Sequence, residues 1–427
     1  MLDLKLIREN TAFVLERLSV RGNPELEGQV EELRTLDAER RTLIAQLDTM
    51  RARRNDVSPR VGRLKKEGRD AEAEPLVLEM RELNERMAAL ETRAAEVEAQ
   101  VHERLLNIPN LLAPGVPPGG PECNRVERVW GEPAAFGEAP RAHWELGEAL
   151  GILDLPRGAK LAGSGFPLFM GAGARLERAL INLMLDMHTR EHGYTEIATP
   201  FLVNPAAAIG TGHLPKYAEE MYHVTEDDLY LIPTAELPVT NLYAGEILSP
   251  EMVPSHLVAY TPCFRREAGA HGKDTRGILR VHQFDKVELV RFERPENGAT
   301  ALEQLTGHAE AVLRRLGLHY RVVLLAGGDT GFANAQTYDL EVWAPGVGQW
   351  LEVSSCSLYN DYQSRRANIR FRPATGARPE FVTTLNGSAL ALPRTLIAII
   401  ETNQQPDGSI RVPPALVEYV GTDRITR

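Results

Sequence analysis

The stretch CFRREAGAHGKDTRGILRVHQFDKVEL, from Cys263 to Leu289, reads as two strand-like runs around a loop of glycine and charge. It gathers Arg265, Arg266, Lys273, Arg276, Arg280 and Lys286, interleaved with Glu267 and Glu288, in a chain of formal net charge −11. Alternate residues of a strand share a face. Arg280, His282, Phe284, Lys286 and Glu288 are therefore expected on one side, with Leu279, Val281, Val287 and Leu289 toward the core. Pairing with HLVAYTPCFRRE across the loop adds Arg265 and Glu267 to the polar face. A ring set among guanidinium groups and carboxylates suits a flat base carrying phosphates, because rings stack and arginine forks grip phosphate oxygens in pairs. A surface strand laced by cross-strand ion pairs would use the same residue types, and the alternation alone leaves both readings open.

Outward from this stretch the texture stays mixed. The amphipathic ARLERALINLMLDMHTREHGY leads into the extended TEIATPFLV, and TYDLEVWAP, QWLEVSSCSLY and FVTTLNGSAL follow as short alternating runs. Strand-like runs outnumber helical ones and many lie a short turn apart, which predicts an α+β fold with a mostly antiparallel sheet flanked by helices. Neither a GxxxxGK[ST] loop nor a GxGxxG turn after a strand occurs, so P-loop and Rossmann nucleotide binding are disfavoured.

The first hundred residues differ. Leu76, Met80, Leu83, Met87, Leu90, Ala94, Val97 and Val101 alternate spacings of four and three, a heptad seam, and Leu26, Val30, Leu33, Leu36, Leu43, Leu47 and Met50 form a looser one. Between them NDVSPRVGRLKKEGRD carries Pro59, Gly62 and Gly68, expected to break the helix. The pattern predicts an antiparallel helical hairpin with arms about 45 Å long. Arg51, Arg53, Arg54, Arg60, Arg63, Lys65, Lys66 and Arg69 crowd near its turn against Asp56, Glu67 and Asp70. Such a tip is either an ordinary solvated turn or a contact for a phosphate backbone. The run IPNLLAPGVPPGGPECN cannot continue a helix and marks the boundary between segments 1–110 and 111–427.

At 427 residues, 43% hydrophobic and 25% charged, the chain can bury a large core. Its acidity excludes bulk attraction to nucleic acid and demands a local basic patch for any such contact. Cys123, Cys263 and Cys356 are odd in number and far apart, giving neither a disulfide framework nor a zinc pair. The start MLDLKLIREN lacks a signal-peptide pattern and no apolar run approaches ~18 residues, so a cytoplasmic location is expected.

The run FRREAG followed by DTRGILRVHQFDKVE resembles motif 2 of class II aminoacyl-tRNA synthetases in the form found in seryl-tRNA synthetases. The helix and strand ending at Pro200 resemble motif 1. TGHLPKYAEEMY and PTAELP resemble the serine-site segments, and LEVSS precedes NGSALALPRTLIAIIETNQQPDG, which resembles motif 3. The N-terminal hairpin is similar to that family's tRNA-binding arm, and the resemblance spans essentially the whole chain. It implies the class II sheet, a 1–110 tRNA-binding hairpin domain and a 111–427 catalytic domain. It implies ATP-dependent ligation of L-serine to tRNA(Ser) through a seryl-adenylate, with selenocysteine tRNA a second acceptor, Mg²⁺ as cofactor and a homodimer built on motif 1, whose helix offers Leu176, Leu180, Leu183 and Met187 as an apolar stripe for the contact.

Roles follow by position. The resemblance gives Arg265 the α-phosphate and the serine carboxylate, Glu267 the adenine amino group and Phe284 the adenine ring, with Arg280 near the phosphates. Arg394 takes the γ-phosphate and helps sandwich the adenine. Arg266, Val353 and Ser354 belong to the ATP-binding runs, although Arg266 should face away. Glu352 and Ser355 match the Mg²⁺ ligands. Thr234, Ala235 and Glu236 match the site for the α-amino group, while Glu288, Asn386 and Ser388 form the hydroxyl pocket. Arg265, Glu288 and Arg394 are the expected catalytic set, and Arg51, Arg53, Arg54, Arg63, Lys65 and Lys66 the expected tRNA contacts. His282 is read as a strand histidine with a hydrogen-bond partner.

Two departures from the family pattern stand in motif 3, where Ala389 and Pro393 replace glycine. Pro393 is harmless in the first turn of a helix, whereas the methyl of Ala389 is expected near the adenylate. GFPLFMG, ahead of motif 1, receives no role. Two rival readings are an adenylate-forming ligase that loads a carrier protein, disfavoured by the hairpin, and a catalytically silent RNA-binding or scaffold paralogue, disfavoured by the presence of Arg265, Glu288, Glu352 and Arg394.

Overall fold

The computed structural model describes residues 1–268 and 276–427, so Lys273 of the opening stretch lies outside the described residues. The chain forms two compact units: residues 2–19 with 23–108, and Met1, 20–22 and 109–427 together.

In the smaller unit, helix α1 (Glu25–Lys66) and helix α2 (Asp70–Asn107) pair as a hairpin. The seam is the predicted one, with Leu26, Val30, Leu33, Leu43 and Leu47 buried on α1 and Met87, Val97 and Val101 on α2. Pro59 and Gly62 do not break α1. A proline inside a helix costs about 3 kcal/mol through one lost hydrogen bond and a ring clash, and here the packing of Val57, which is wholly buried, offsets it. The turn falls at Gly68, whose φ of +72° closes the helix end while its N–H donates to the Lys65 carbonyl. With 42 residues, α1 is about 60 Å long, more than the arm expected from sequence.

The larger unit is built on an eight-stranded sheet. In chain order its strands are β1 (Arg125–Trp130), β2 (Thr195–Glu196), β3 (Ser255–Phe264), β4 (Gln283–Glu293), β5 (Tyr320–Leu324), β6 (Gln336–Ala344), β7 (Gln349–Asn360) and β8 (Thr383–Ala391). Their spatial order is β1-β5-β6-β7-β8-β4-β3-β2, antiparallel except for the β2–β3 pair. One face packs under helices α3 (Ala172–Arg190), α4 (Gly298–Leu316) and α5 (Leu392–Thr402) around a large apolar core. Gly387 in β8 allows this approach, since a Cβ there would stand 2.3 Å from Leu305 of α4.

Leu176, Leu180, Leu183 and Met187 of α3 make an apolar stripe that sequence reasoning offers to a second subunit. All four are buried in this chain's own core. Helical spacing shows only that the stripe must be covered; the sheet beneath it does the covering.

Candidate functional site

The strand pair β3–β4 holds the opening stretch, with Cys263 opposite Phe284, Thr261 opposite Lys286 and Ala259 opposite Glu288. From Phe284 onward the alternation is the predicted one. Upstream it is not: β4 begins at Gln283, and residues 276–282 run irregularly. Leu279 and Val281 are buried in the apolar core, as expected, and they also line the same cavity as Arg280 and Phe284. His282 donates from Nδ1 to the Arg265 carbonyl, 3.0 Å away, and its backbone N–H donates to the Gly165 carbonyl. GFPLFMG thus has a place in the fold, with Phe166 5.4 Å from the His282 ring.

The cavity has a volume of about 300 Å³ and is markedly two-ended. At one end lie buried carboxylates. Asn386 Nδ2 donates to Glu236 Oε2 and to Glu288 Oε1, each at 2.9 Å. Ser388 Oγ donates to Glu288 Oε2 at 3.3 Å, and Lys286 Nζ stands 2.5 Å from the same oxygen while donating to Thr234 Oγ1 at 2.8 Å. Behind Glu236, Gln363 donates from Nε2 to Oε1 at 2.6 Å and accepts from Thr384 at 2.7 Å. Burial first, and the charge of Glu288 second, push the Glu236 carboxyl up to about 7, against the hydrogen bond from Gln363 and the charge of Lys286. Burial, then the cations Arg265, Lys286 and Arg366, push His213 down to about 3, so it faces the cavity as a neutral imidazole.

The other end is basic and aromatic. The Arg265 guanidinium lies over the Phe284 ring, 5.1 Å from its centroid, and donates to the Pro233 carbonyl. Arg280 pairs with Glu267 at 2.6 Å, and Glu267 sits at a φ of +50°, uncommon outside glycine. Arg394 pairs with Glu352 at 3.3 Å and donates to the carbonyls of Glu352 and Leu279. Ser355 lines the cavity opposite Asp339 of β6. Burial and the charge of Glu352 push Asp339 well above the usual carboxylate range. Glu352 and Ser355 offer the cavity a carboxylate and a hydroxyl, hard oxygen donors of the kind that would suit Mg²⁺.

Most residues marked in the sequence therefore meet in one cavity: Thr234, Glu236, Arg265, Glu267, Arg280, Phe284, Glu288, Glu352, Ser355, Asn386, Ser388 and Arg394. Arg266 is exposed outside it, and Val353 and Ala235 are core residues. Ser354 spends its hydroxyl on the Ser388 carbonyl. Ala389 packs in the apolar core instead of near a ligand, because a register shift between Ser388 and Leu390 turns it away. Pro393 stands in the first turn of α5 and lines the cavity. The residues that sequence reasoning missed are Lys286 as a member of the carboxylate network, Tyr359, Gln363 and the segment Gly331–Asn334. Only Lys286 had a signal, its place in the alternation.

In the smaller unit, Arg51 pairs with Glu91 at 3.1 Å and Arg53 with Glu79 at 2.6 Å, both across the hairpin. Arg63, Lys65 and Lys66 are exposed and Arg54 is partly so, none of them with an ion-pair partner among the described residues.

Residues 1–112 match the seryl-tRNA synthetase N-terminal domain, and residues 220–403 match the class II tRNA synthetase core domain (G, H, P, S and T). The chain is 53% identical to the serine–tRNA ligase of Gemmatimonas aurantiaca, over 99% of both chains. It belongs to the seryl-tRNA synthetase family. Another family member, the serine–tRNA ligase of Carboxydothermus hydrogenoformans, is 51% identical over 100% of this chain and 99% of that one. The seryl-tRNA synthetase of Pyrococcus horikoshii, solved in complex with ATP, superimposes with a TM-score of 0.94 at 37% identity, covering 100% of this chain and 99% of the other. The mostly antiparallel sheet and the long N-terminal hairpin are those of a seryl-tRNA synthetase.

Proposed function

We propose that this chain activates L-serine with ATP and transfers it to tRNA(Ser), with selenocysteine tRNA a second acceptor. The observation that carries the reading is the Asn386 amide bridging two buried carboxylates, Glu236 and Glu288, at one end of a cavity whose other end is lined by Arg265, Arg280 and Arg394. Glu236, with Thr234, is suited to the serine ammonium. Glu288, Asn386 and Ser388 are suited to its hydroxyl, and a polar pocket of this kind rejects alanine because its own groups would be left unpaired.

Arg265 holds the serine carboxylate against the α-phosphate, so that carboxylate oxygen attacks phosphorus in line and pyrophosphate leaves. The seryl group then passes to the 3′-terminal ribose of the tRNA. No side-chain nucleophile takes part; positioning and cationic neutralisation of phosphoryl charge supply the rate. Phe284 stacks on the adenine, Glu267 accepts from its amino group, and Arg394 swings from Glu352 to the γ-phosphate. Glu352 and Ser355 would hold Mg²⁺, which would supply charge neutralisation on the phosphates.

Arg54, Arg63, Lys65 and Lys66 of the hairpin are suited to a tRNA backbone, their charge being uncommitted to any carboxylate among the described residues. A homodimer is proposed as well. Phe201 and Leu202, directly after the motif 1 segment, leave apolar surface exposed for it, and sedimentation at micromolar concentration tests it. No helix among the described residues is long and apolar enough to cross a membrane, and the proposed location is the cytoplasm. Serine-dependent ATP–pyrophosphate exchange, run across several amino acids, tests the whole reading: exchange with serine alone is expected, and exchange with none overturns it.

A further inference from the structure

Arg21 is a cation held by backbone alone. Its Nε donates to the Asn110 carbonyl at 2.9 Å, one terminal nitrogen to the carbonyls of Thr330 and Gly331 at 3.1 and 3.2 Å, and the other to that of Asn334 at 2.7 Å. It has no carboxylate partner among the described residues. Four of the five N–H donors of a guanidinium are thus spent on one loop and on Asn110.

That loop is a wall of the cavity, which Gly331, Phe332, Ala333 and Asn334 all line. Asn110 fastens it a second time: its N–H donates to the Phe332 carbonyl, and its Nδ2 donates to the carbonyls of Ala333 at 2.9 Å and Tyr359 at 2.8 Å. Tyr359 in turn donates its hydroxyl to Asn386 Oδ1 at 2.9 Å, and Asn386 bridges Glu236 and Glu288. Asn334 donates to Ser357 Oγ at 2.8 Å, and Ser357 lies opposite Asn386 in the β7–β8 ladder. Residues joined by successive hydrogen bonds, Arg21 to Asn110, Asn110 to Tyr359 and Tyr359 to Asn386, thus lead to the carboxylate end of the cavity. The basic end receives none of these bonds.

We infer that Arg21, through Asn110 and the loop Thr330–Asn334, is a positioning residue for the serine end of the site, setting amino-acid affinity without touching either substrate. This rests on the function proposed above. Arg21 and Asn110 also flank the places where the chain leaves the larger unit, after Gly22, and returns to it, at Pro109.

The test is steady-state pyrophosphate exchange by the full chain carrying Arg21→Ala, Arg21→Lys or Asn110→Ala, with melting curves alongside. Arg21→Ala is expected to raise the KM for serine about tenfold, leaving the KM for ATP within about twofold, since only one end of the cavity loses its support. Arg21→Lys should fall between, because an ammonium cannot span the fork that the guanidinium fills. Millimolar guanidinium chloride should restore part of the affinity in Arg21→Ala. A folded Arg21→Ala with unchanged serine KM overturns the inference, as does an equal rise in both KM values. Where Arg21→Ala does not fold, Arg21→Lys decides by the same split. Wild-type exchange with an amino acid other than serine would refute the functional reading, while the KM split for that amino acid would still judge Arg21.

Discussion

Lys286 and Glu288 stand two residues apart on one face of β4 and meet at 2.5 Å, both side chains buried. The ammonium is shared with Thr234, so one cation organises both walls of the carboxylate end. A carboxylate pair bridged by Asn386 would otherwise carry two buried negative charges on one amide, an arrangement that forces protons onto carboxyl groups.

The pH dependence follows with a definite sign. Glu236, raised to about 7, must be ionised to hold an ammonium ion. kcat/KM for serine should therefore be low in acid and rise through about pH 7 to a plateau. Lys286→Met removes a charge that favours the ionised form, so the midpoint should move to higher pH and activity at pH 7 should fall. A pyrophosphate-exchange profile of both proteins checks this, and coincident midpoints would sink it.

Glu288→Ala strands the Lys286 ammonium and one Asn386 donor in a buried site. Serine activation should drop about 10²–10³-fold, the scale of breaking a buried ion pair. Ser388→Ala deletes a single hydroxyl and should mainly lower the preference for serine over alanine, by about 10-fold, the worth of one hydrogen bond to a charged group. Exchange measured with both amino acids separates the two outcomes.

Arg265→Ala should lower kcat by at least ~10²-fold, as loss of a donor to charge that moves in the transition state does. A variant that changed only the KM for ATP would assign Arg265 to ground-state binding. Single-turnover adenylate formation distinguishes these results.

The hairpin cations divide into two groups. Replacing Arg54, Arg63, Lys65 and Lys66 by Ser should raise the KM for tRNA and reduce the slope of log K against log[salt] by about 0.7–0.9 for each phosphate left without its cation. Replacing Arg51 and Arg53 removes pairs with Glu91 and Glu79 and should loosen the hairpin. Filter binding across a salt series, with melting curves, tells the groups apart. An unchanged salt slope in the first variant would place the tRNA elsewhere.

The hairpin seam, the strand pairing around motif 2 and the residue types of both ends of the site are all legible in the order of residues. They depend on periodicities of 3.5 and 2 that local geometry imposes. The motif order, from which the family could be named, is legible in the same way. Reading Pro59 and Gly62 as breakers failed, because interhelix packing outweighs a local cost. The ion pairs of Arg53 and Arg51 across the hairpin are not legible in the sequence, since Glu79 and Glu91 lie 26 and 40 residues from their arginines. Only the folded chain shows that the stripe on α3 is core, that Ala389 turns inward, and that Lys286, Gln363 and Tyr359 join Glu236, Glu288 and Asn386. Folding likewise brings Arg21 to carbonyls 309 to 313 residues away. Backbone carbonyls have no residue type, so nothing in a sequence marks which of them a guanidinium will find; the closed fold does.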